Sequence, residues 1–111
     1  MGEFTVGSVV LAPFPYADFS HFKTRPTLVI GLSEFDNLIV CQITSSTASS
    51  KRAIRLLKED FVEGSLPVTS YIRPDKIFTI ETKILLRRLG CLKPIVLDRV
   101  LRRVRELFEV S

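Results

Sequence analysis

The sequence predicts a mainly β protein with some helix, a small β-barrel of short strands followed by a C-terminal helical part. Three observations lead there. Apolar runs of four to six residues recur with Pro, Gly or Asp-Asn between them, the spacing of short strands joined by tight turns. From Pro94 onward the apolar period changes to three and four, the mark of an amphipathic helix. The chain has 111 residues and 12.6 kDa, enough for one domain and too little for two cores, so residues 1–111 are read as a single unit.

Ser8-Val9-Val10-Leu11 reads as the first strand, ended by Pro13 and Pro15, which have no N–H to give a ladder. A polar loop from Tyr16 to Thr24 follows, holding Asp18, Phe19, His21, Phe22 and Lys23. Thr27 to Ile30 is nearly all apolar and reads as a central strand. Asp36-Asn37 marks a turn into Leu38 to Ile43, so the second and third strands form a hairpin. Ser45 to Ser50 has no apolar period and reads as a loop.

Ala53 to Leu57 is a fourth strand, and Lys58 to Gly64 is polar and turn-like. Thr69 to Ile72 and Lys76 to Thr79 supply two more short extended pieces. Ile84, Leu85 and Leu89 mark a short helix that Gly90 stops. Pro94 opens the long helix, in which Leu97, Val100, Leu101, Val104, Leu107 and Phe108 form one face and Asp98 pairs with Arg102 on the other.

Composition excludes several function classes. Hydrophobic residues make up 46% and charged ones 25%, a globular balance. No apolar run reaches the roughly 20 residues of a membrane span, and no signal-peptide pattern opens the chain. Two cysteines are too few for a disulfide framework, so a reduced, cytoplasmic protein is expected. One histidine and two cysteines do not make a closed zinc site, and five scattered glycines do not make a phosphate loop. No cofactor or metal is therefore expected. The net charge of +4 leans toward polyanions, and eight basic residues against the single Asp98 crowd the stretch from Lys83 to Arg105. That stretch is either a solvated helix surface or a nucleic-acid contact.

Function-capable groups concentrate in two places. Arg25 sits on a stiff base, because Pro26 fixes its own φ and pushes Arg25 out of the helical region. Its planar fork of five donors suits a phosphate, and its alternative use is a salt bridge to a loop carboxylate such as Asp18. Thr44 ends the third strand. In an antiparallel hairpin the start of one strand lies beside the end of the other, so Arg25 and Thr44 share one rim. A guanidinium and a hydroxyl so placed fit a phosphodiester and its pentavalent transition state, while the plain alternative for Thr44 is a turn hydroxyl. His21 is the acid–base candidate, and Phe19 and Phe22 could stack on bases. Cys41 reads as core, and Cys91 has no paired base, so neither is assigned as a nucleophile.

These same residues resemble the MazF/PemK family of toxin endoribonucleases of type II toxin–antitoxin systems. Gly7 to Tyr16 looks like the family's opening G-D-V-V-L-V-x-F-P-F, and Lys23 to Ile30 looks like its K-x-R-P-x-L-V-I motif, the most specific piece. Cys41-Gln42-Ile43-Thr44-Ser45 is similar to the C-x-I-T-S strand end. Gly64-Ser65-Leu66, Ser70-Tyr71-Ile72 and Leu89-Gly90-Cys91-Leu92 echo later pieces in the same order. The sequence departs from the pattern at Ser8, where the family commonly has Asp, and at Gln42, where proline is usual.

The resemblance implies an SH3-like barrel of five to seven strands, a homodimer, and an endoribonuclease that cleaves single-stranded RNA at short sequences without a metal. It implies 2′,3′-cyclic phosphate and 5′-hydroxyl ends, and a cognate antitoxin that neutralises the toxin. Arg25 matches the catalytic arginine and Thr44 the catalytic threonine. Lys23, Ser45, Ser70, His21, Phe19 and Phe22 are the expected RNA-binding residues. The same barrel also serves CcdB-type toxins that poison gyrase, whose active C-terminal end carries tryptophan; this chain has none. A non-cleaving RNA-binding regulator is the other alternative, and it would lack Arg25 or Thr44.

Overall fold

The computed structural model describes residues 4–15, 22–46 and 50–109. Seven strands form one antiparallel sheet: β1 (Ser8–Pro15), β2 (Phe22–Leu32), β3 (Asn37–Thr44), β4 (Ile54–Leu56), β5 (Phe61–Gly64), β6 (Ser70–Glu81) and β7 (Arg87–Leu92). Short 3-10 turns at Lys58–Asp60 and Thr82–Ile84 join strands, and helix α1 (Pro94–Glu106) ends the fold. The strand order is β4-β6-β3-β2-β1-β7-β5. The two edge strands, β4 and β5, are joined by only the four residues from Leu57 to Asp60. Laid flat, seven strands would hold those edges about 29 Å apart. Five residue steps reach at most about 18 Å. The connection therefore forces the sheet to curl, and this is the predicted barrel-like architecture with its C-terminal helix.

Curling encloses the larger core. Val9, Leu28, Cys41, Ile43, Ile54, Leu56, Phe61, Ile72 and Leu92 come from all seven strands and meet Val96 and Val100 of α1. The helix starts at Pro94 as its sequence predicts, and Arg102 Nη2 bonds Asp98 Oδ2 at 2.6 Å on the solvent side. Of the expected face only Val100 is fully buried: Val96, outside that face, is buried with it, and Phe108, expected on it, is 71% exposed. A second, smaller cluster lies on the opposite face of the sheet: Val10, Ala12, Val29, Leu38, Val40 and Ile80, with Phe4, Phe14, Phe78 and Leu85 packed against them.

The β2–β3 hairpin forms where Asp36-Asn37 predicts it. The Asn37 N–H donates to the Glu34 carbonyl, and Phe35 and Asp36 both take positive φ, at 57° and 61°. β1 and β2 are longer than the sequence implies. β1 runs on through Pro13 and Pro15, paired to Thr24 and Phe22. Its pairing with β7 stops at Leu11, whose carbonyl accepts from the Leu86 N–H. Pro13 and Pro15 alternate with Leu11, so their missing N–H groups face the side that β7 has left. Pairing to this extended β1 draws Phe22, Lys23 and Thr24 out of the expected loop and into β2.

Three expectations are corrected. The helix expected from Ile84, Leu85 and Leu89 is instead a 3-10 turn leading into strand β7, and Gly90 lies inside that strand. Spacing of apolar residues fits a helix there, but pairing to β1 and β5 wins. The turn-like segment 58–64 contains β5, whose Phe61 fills the core. The two extended pieces around 69–79 are one twelve-residue strand, β6, interrupted only by a bulge: Gln42 pairs with Arg73 while its neighbour Cys41 pairs with Ile77. Pro74 falls in that bulge, where no ladder donor is required.

Candidate active site

The β2–β3 ladder ends at Thr27 paired with Gln42. Carried two residues past that last pair, the same register sets Arg25 across from Thr44. Side chains alternate, and Leu28, Cys41 and Ile43 point into the barrel core. Arg25, Thr44 and Gln42 therefore share the other face, the one that carries Val29 and Val40. That face grades from apolar to polar. Along β3 it reads Leu38, Val40, Gln42, Thr44; along β2 it reads Val29, Thr27, Arg25, Lys23. The Phe14 and Phe78 rings lean together over the intervening strands, centroids 4.7 Å apart and nearly perpendicular at 86°.

Arg25 is half-buried and has no hydrogen-bond or ion-pair partner among the described residues. Within the described residues none of its donors is taken, while Asp18, its alternative partner, lies outside them. The Thr44 hydroxyl accepts from the Ser46 N–H at 3.1 Å, which fixes the oxygen and leaves its own hydrogen to be donated. Lys23 is exposed, opposite Phe14 on the same face, and Ser45 is exposed in the bend after Thr44. Phe22 opens β2 opposite Pro15, while Phe19 and His21, like Asp18, lie outside the described residues.

Ser70 does not join this group. It pairs with Leu56, faces the barrel core, is 3% exposed, and donates to the Val68 carbonyl at 2.9 Å. Its neighbour Tyr71 stands opposite Thr44 instead. Sequence reasoning missed Tyr71, Arg73 and Arg55, because only the β3–β6–β4 register brings them to this face.

Arg73 is already engaged. Its Nε and Nη2 donate to the two Asp75 oxygens, each at 2.9 Å, a bidentate pair that closes across the β6 bulge. The Arg73 hydrogen bonds hold the Asp75 carboxyl below its ordinary value of 3.8. A lowered folded-state value means the pair stabilises fully above the ordinary value and loses its contribution as pH falls through the folded one. Melting followed from about pH 5 down to about pH 3 should thus fall more steeply for the wild type than for Asp75→Asn.

Neither cysteine is a nucleophile here. Burial pushes the Cys41 thiol up to about 12, and Cys91 is half-buried with its Sγ 3.7 Å from the Leu92 carbonyl. Among the described residues no three His, Cys, Asp or Glu side chains gather as metal ligands, and no helix is long and apolar enough to cross a membrane. Within the basic stretch from Lys83 to Arg105, Arg88 pairs with Glu63 at 3.1 Å and Arg102 with Asp98 at 2.6 Å. Part of that charge is thus neutralised within the fold.

On the polar end of this curled antiparallel sheet, Arg25, without a partner among the described residues, and Thr44, whose hydroxyl accepts from the Ser46 N–H, make up the candidate site. The family model that matches the sequence, over residues 5–108, is that of the PemK-like, MazF-like toxins of type II toxin–antitoxin systems. The chain belongs to this toxin family. No curated protein matches it. The fold is similar to an endoribonuclease in complex with its cognate antitoxin from a mycobacterial species, at 16% identity and TM-score 0.73, covering 100% of this chain and 98% of that one. It is similar also to the MazE–MazF complex of Deinococcus radiodurans, at 18% identity and TM-score 0.74 with 96% of each chain covered. The Mycobacterium tuberculosis toxin MazF-mt6 shares 18% identity at TM-score 0.70, covering 94% of this chain and 98% of that one. At such identities the likeness defines the fold.

Proposed function

We propose that this protein is a sequence-specific endoribonuclease toxin that cleaves single-stranded RNA without a metal ion. The observation that carries the reading is the Arg25 guanidinium, without a partner among the described residues, on the same face and rim as Thr44, two residues past the Thr27–Gln42 pair on each strand. RNA supplies its own nucleophile. The 2′-oxygen bonds to the adjacent phosphorus as the bond from phosphorus to the 5′-oxygen breaks, leaving a 2′,3′-cyclic phosphate and a 5′-hydroxyl. The 2′-hydroxyl gives up its proton and the departing oxygen takes one, so the balance needs only water or an imidazole. His21, the chain's single histidine, is the acid–base candidate for those transfers.

Arg25 stabilises the charge that builds on the pentavalent phosphorus and donates to the leaving oxygen. A guanidinium keeps its proton at any ordinary pH, which suits charge stabilisation better than base catalysis. Thr44 donates to a non-bridging oxygen and orients the phosphate. The protein acts as a homodimer, and a cognate antitoxin covers the same cationic face through an acidic segment. Family membership and the antitoxin complexes of its structural neighbours support this part of the reading.

A chimeric single strand tests the chemistry. Replacing ribose by 2′-deoxyribose at the cleaved position should stop scission there while binding persists. Scission of the deoxy strand would remove the 2′-hydroxyl from the mechanism. Protein that leaves all RNA intact but stalls gyrase would favour the other toxin type on this barrel.

A further inference from the structure

The sheet register carries the site beyond Arg25 and Thr44. Thr44 pairs with Tyr71 on β6, and Tyr71 pairs with Arg55 on β4. On the other side Ala12 pairs with Arg25. With the β2–β3 register carried two residues past its last pair, Thr27–Gln42, Ala12, Arg25, Thr44, Tyr71 and Arg55 fall in one transverse row across five strands. Their neighbours along the chain, Ile43, Ile72, Ile54 and Leu56, are all buried in the barrel core. The row therefore faces outward on the side of the candidate active site. At the usual strand spacing, Tyr71 lies about 10 Å and Arg55 about 14 Å from the Arg25 position. A stacked strand advances about 3.4 Å per nucleotide, so the row spans more than one nucleotide.

The chemistry of the row is that of a single-strand platform. Tyr71 is half-buried, which holds the ring while leaving part of it accessible. Arg55 is exposed and has no hydrogen-bond or ion-pair partner among the described residues. Arg73, which also lies on this face, is tied to Asp75. Aromatic faces that stack on bases, flanked by cations that take phosphates, are how proteins hold unpaired nucleic acid.

We propose that Tyr71 and Arg55 are substrate-binding residues for single-stranded RNA: Tyr71 stacks on a base beside the scissile phosphate, and Arg55 takes a phosphate further along the same strand. This rests on the ribonuclease reading above. Neither residue takes part in bond breaking, so both act on KM and leave kcat nearly unchanged. Losing a stacked base weakens binding by about 5- to 100-fold. Losing one phosphate contact lowers the salt dependence of binding to a single strand by about 0.7 in log–log slope.

Steady-state cleavage of one fluorogenic RNA by Tyr71→Leu, Tyr71→Phe and Arg55→Ala, with binding of the uncleavable 2′-deoxy strand over a salt series, tests this. The Leu variant keeps the bulk at a half-buried position and removes the π-face, whereas Phe keeps the face and removes the hydroxyl. The expected result is a raised KM for Leu, near-normal KM for Phe, and a flatter salt slope for Arg55→Ala. Equal KM for Leu and wild type, or an unchanged slope for Arg55→Ala, overturns the proposal while wild-type cleavage leaves the activity itself standing. A loss confined to binding of an acidic antitoxin-like peptide, with RNA parameters unmoved, would also overturn it. Wild-type protein that cleaves no RNA refutes the ribonuclease reading itself, and with it the reading of the row as part of a catalytic groove.

Discussion

Arg25→Ala should lower the rate of RNA cleavage by about 100- to 1,000-fold, the usual cost of removing one preorganised donor to developing charge. The same variant should melt at the wild-type temperature. No partner among the described residues is lost with the guanidinium, so nothing buried is left unpaired. Arg25→Lys should recover little, because a point charge does not reproduce a two-pronged donor. Thr44→Val should cost less, since the hydroxyl contributes one neutral hydrogen bond. Comparison of kcat with melting curves for the three variants checks both halves. A normal rate in Arg25→Ala would remove the residue from the mechanism.

The second large effect concerns stability. β5 and β7 approach through a pair of glycines, Gly64 opposite Gly90. Gly64 has φ +80°, and a Cβ there would collide with the Leu89 carbonyl and come within 2.6 Å of the Gly90 Cα. Gly64→Ala therefore combines left-handed backbone strain with a backbone clash that no side-chain rotation relieves. The expected loss is about 3 kcal/mol or more. Gly31→Ala is the control: its Cβ would meet only the Ile39 side chain, at an ordinary 3.5 Å or more. Thermal melts should show Gly64→Ala lower by about 10 °C or more and Gly31→Ala close to wild type. Equal melts would mean that the edge strand β5 contributes little to the stability of the curled sheet.

These two sites also show where sequence reasoning reaches and where it stops. That the Arg25 end of β2 lies beside the Thr44 end of β3 was legible because a hairpin is local: the turn at Asp36-Asn37 and two apolar strands determine which ends meet. Helix α1 was legible because Pro94 and the three-four apolar spacing agree. The Gly64–Gly90 contact was not, because it pairs segments 26 residues apart in an order, β7 beside β5, that no local pattern announces. Gly90 read alone looks like a helix stop; only its partner shows it to be a close-packing position. Ser70 illustrates a subtler limit. The motif around it is right, but alternation along β6 sends Ser70 to the core and Tyr71 to the site face, a choice that depends on register with β3 and β4.

The central claim is that a free arginine and an oriented threonine direct RNA's own 2′-hydroxyl onto its phosphate. Its most direct test is incubation of the purified protein with mixed single-stranded RNA in EDTA, followed by analysis of the fragment ends. Fragments ending in 2′,3′-cyclic phosphate and beginning with 5′-hydroxyl are the predicted result. Folded, antitoxin-free protein that leaves the RNA intact, or that yields 5′-phosphate ends, would contradict it.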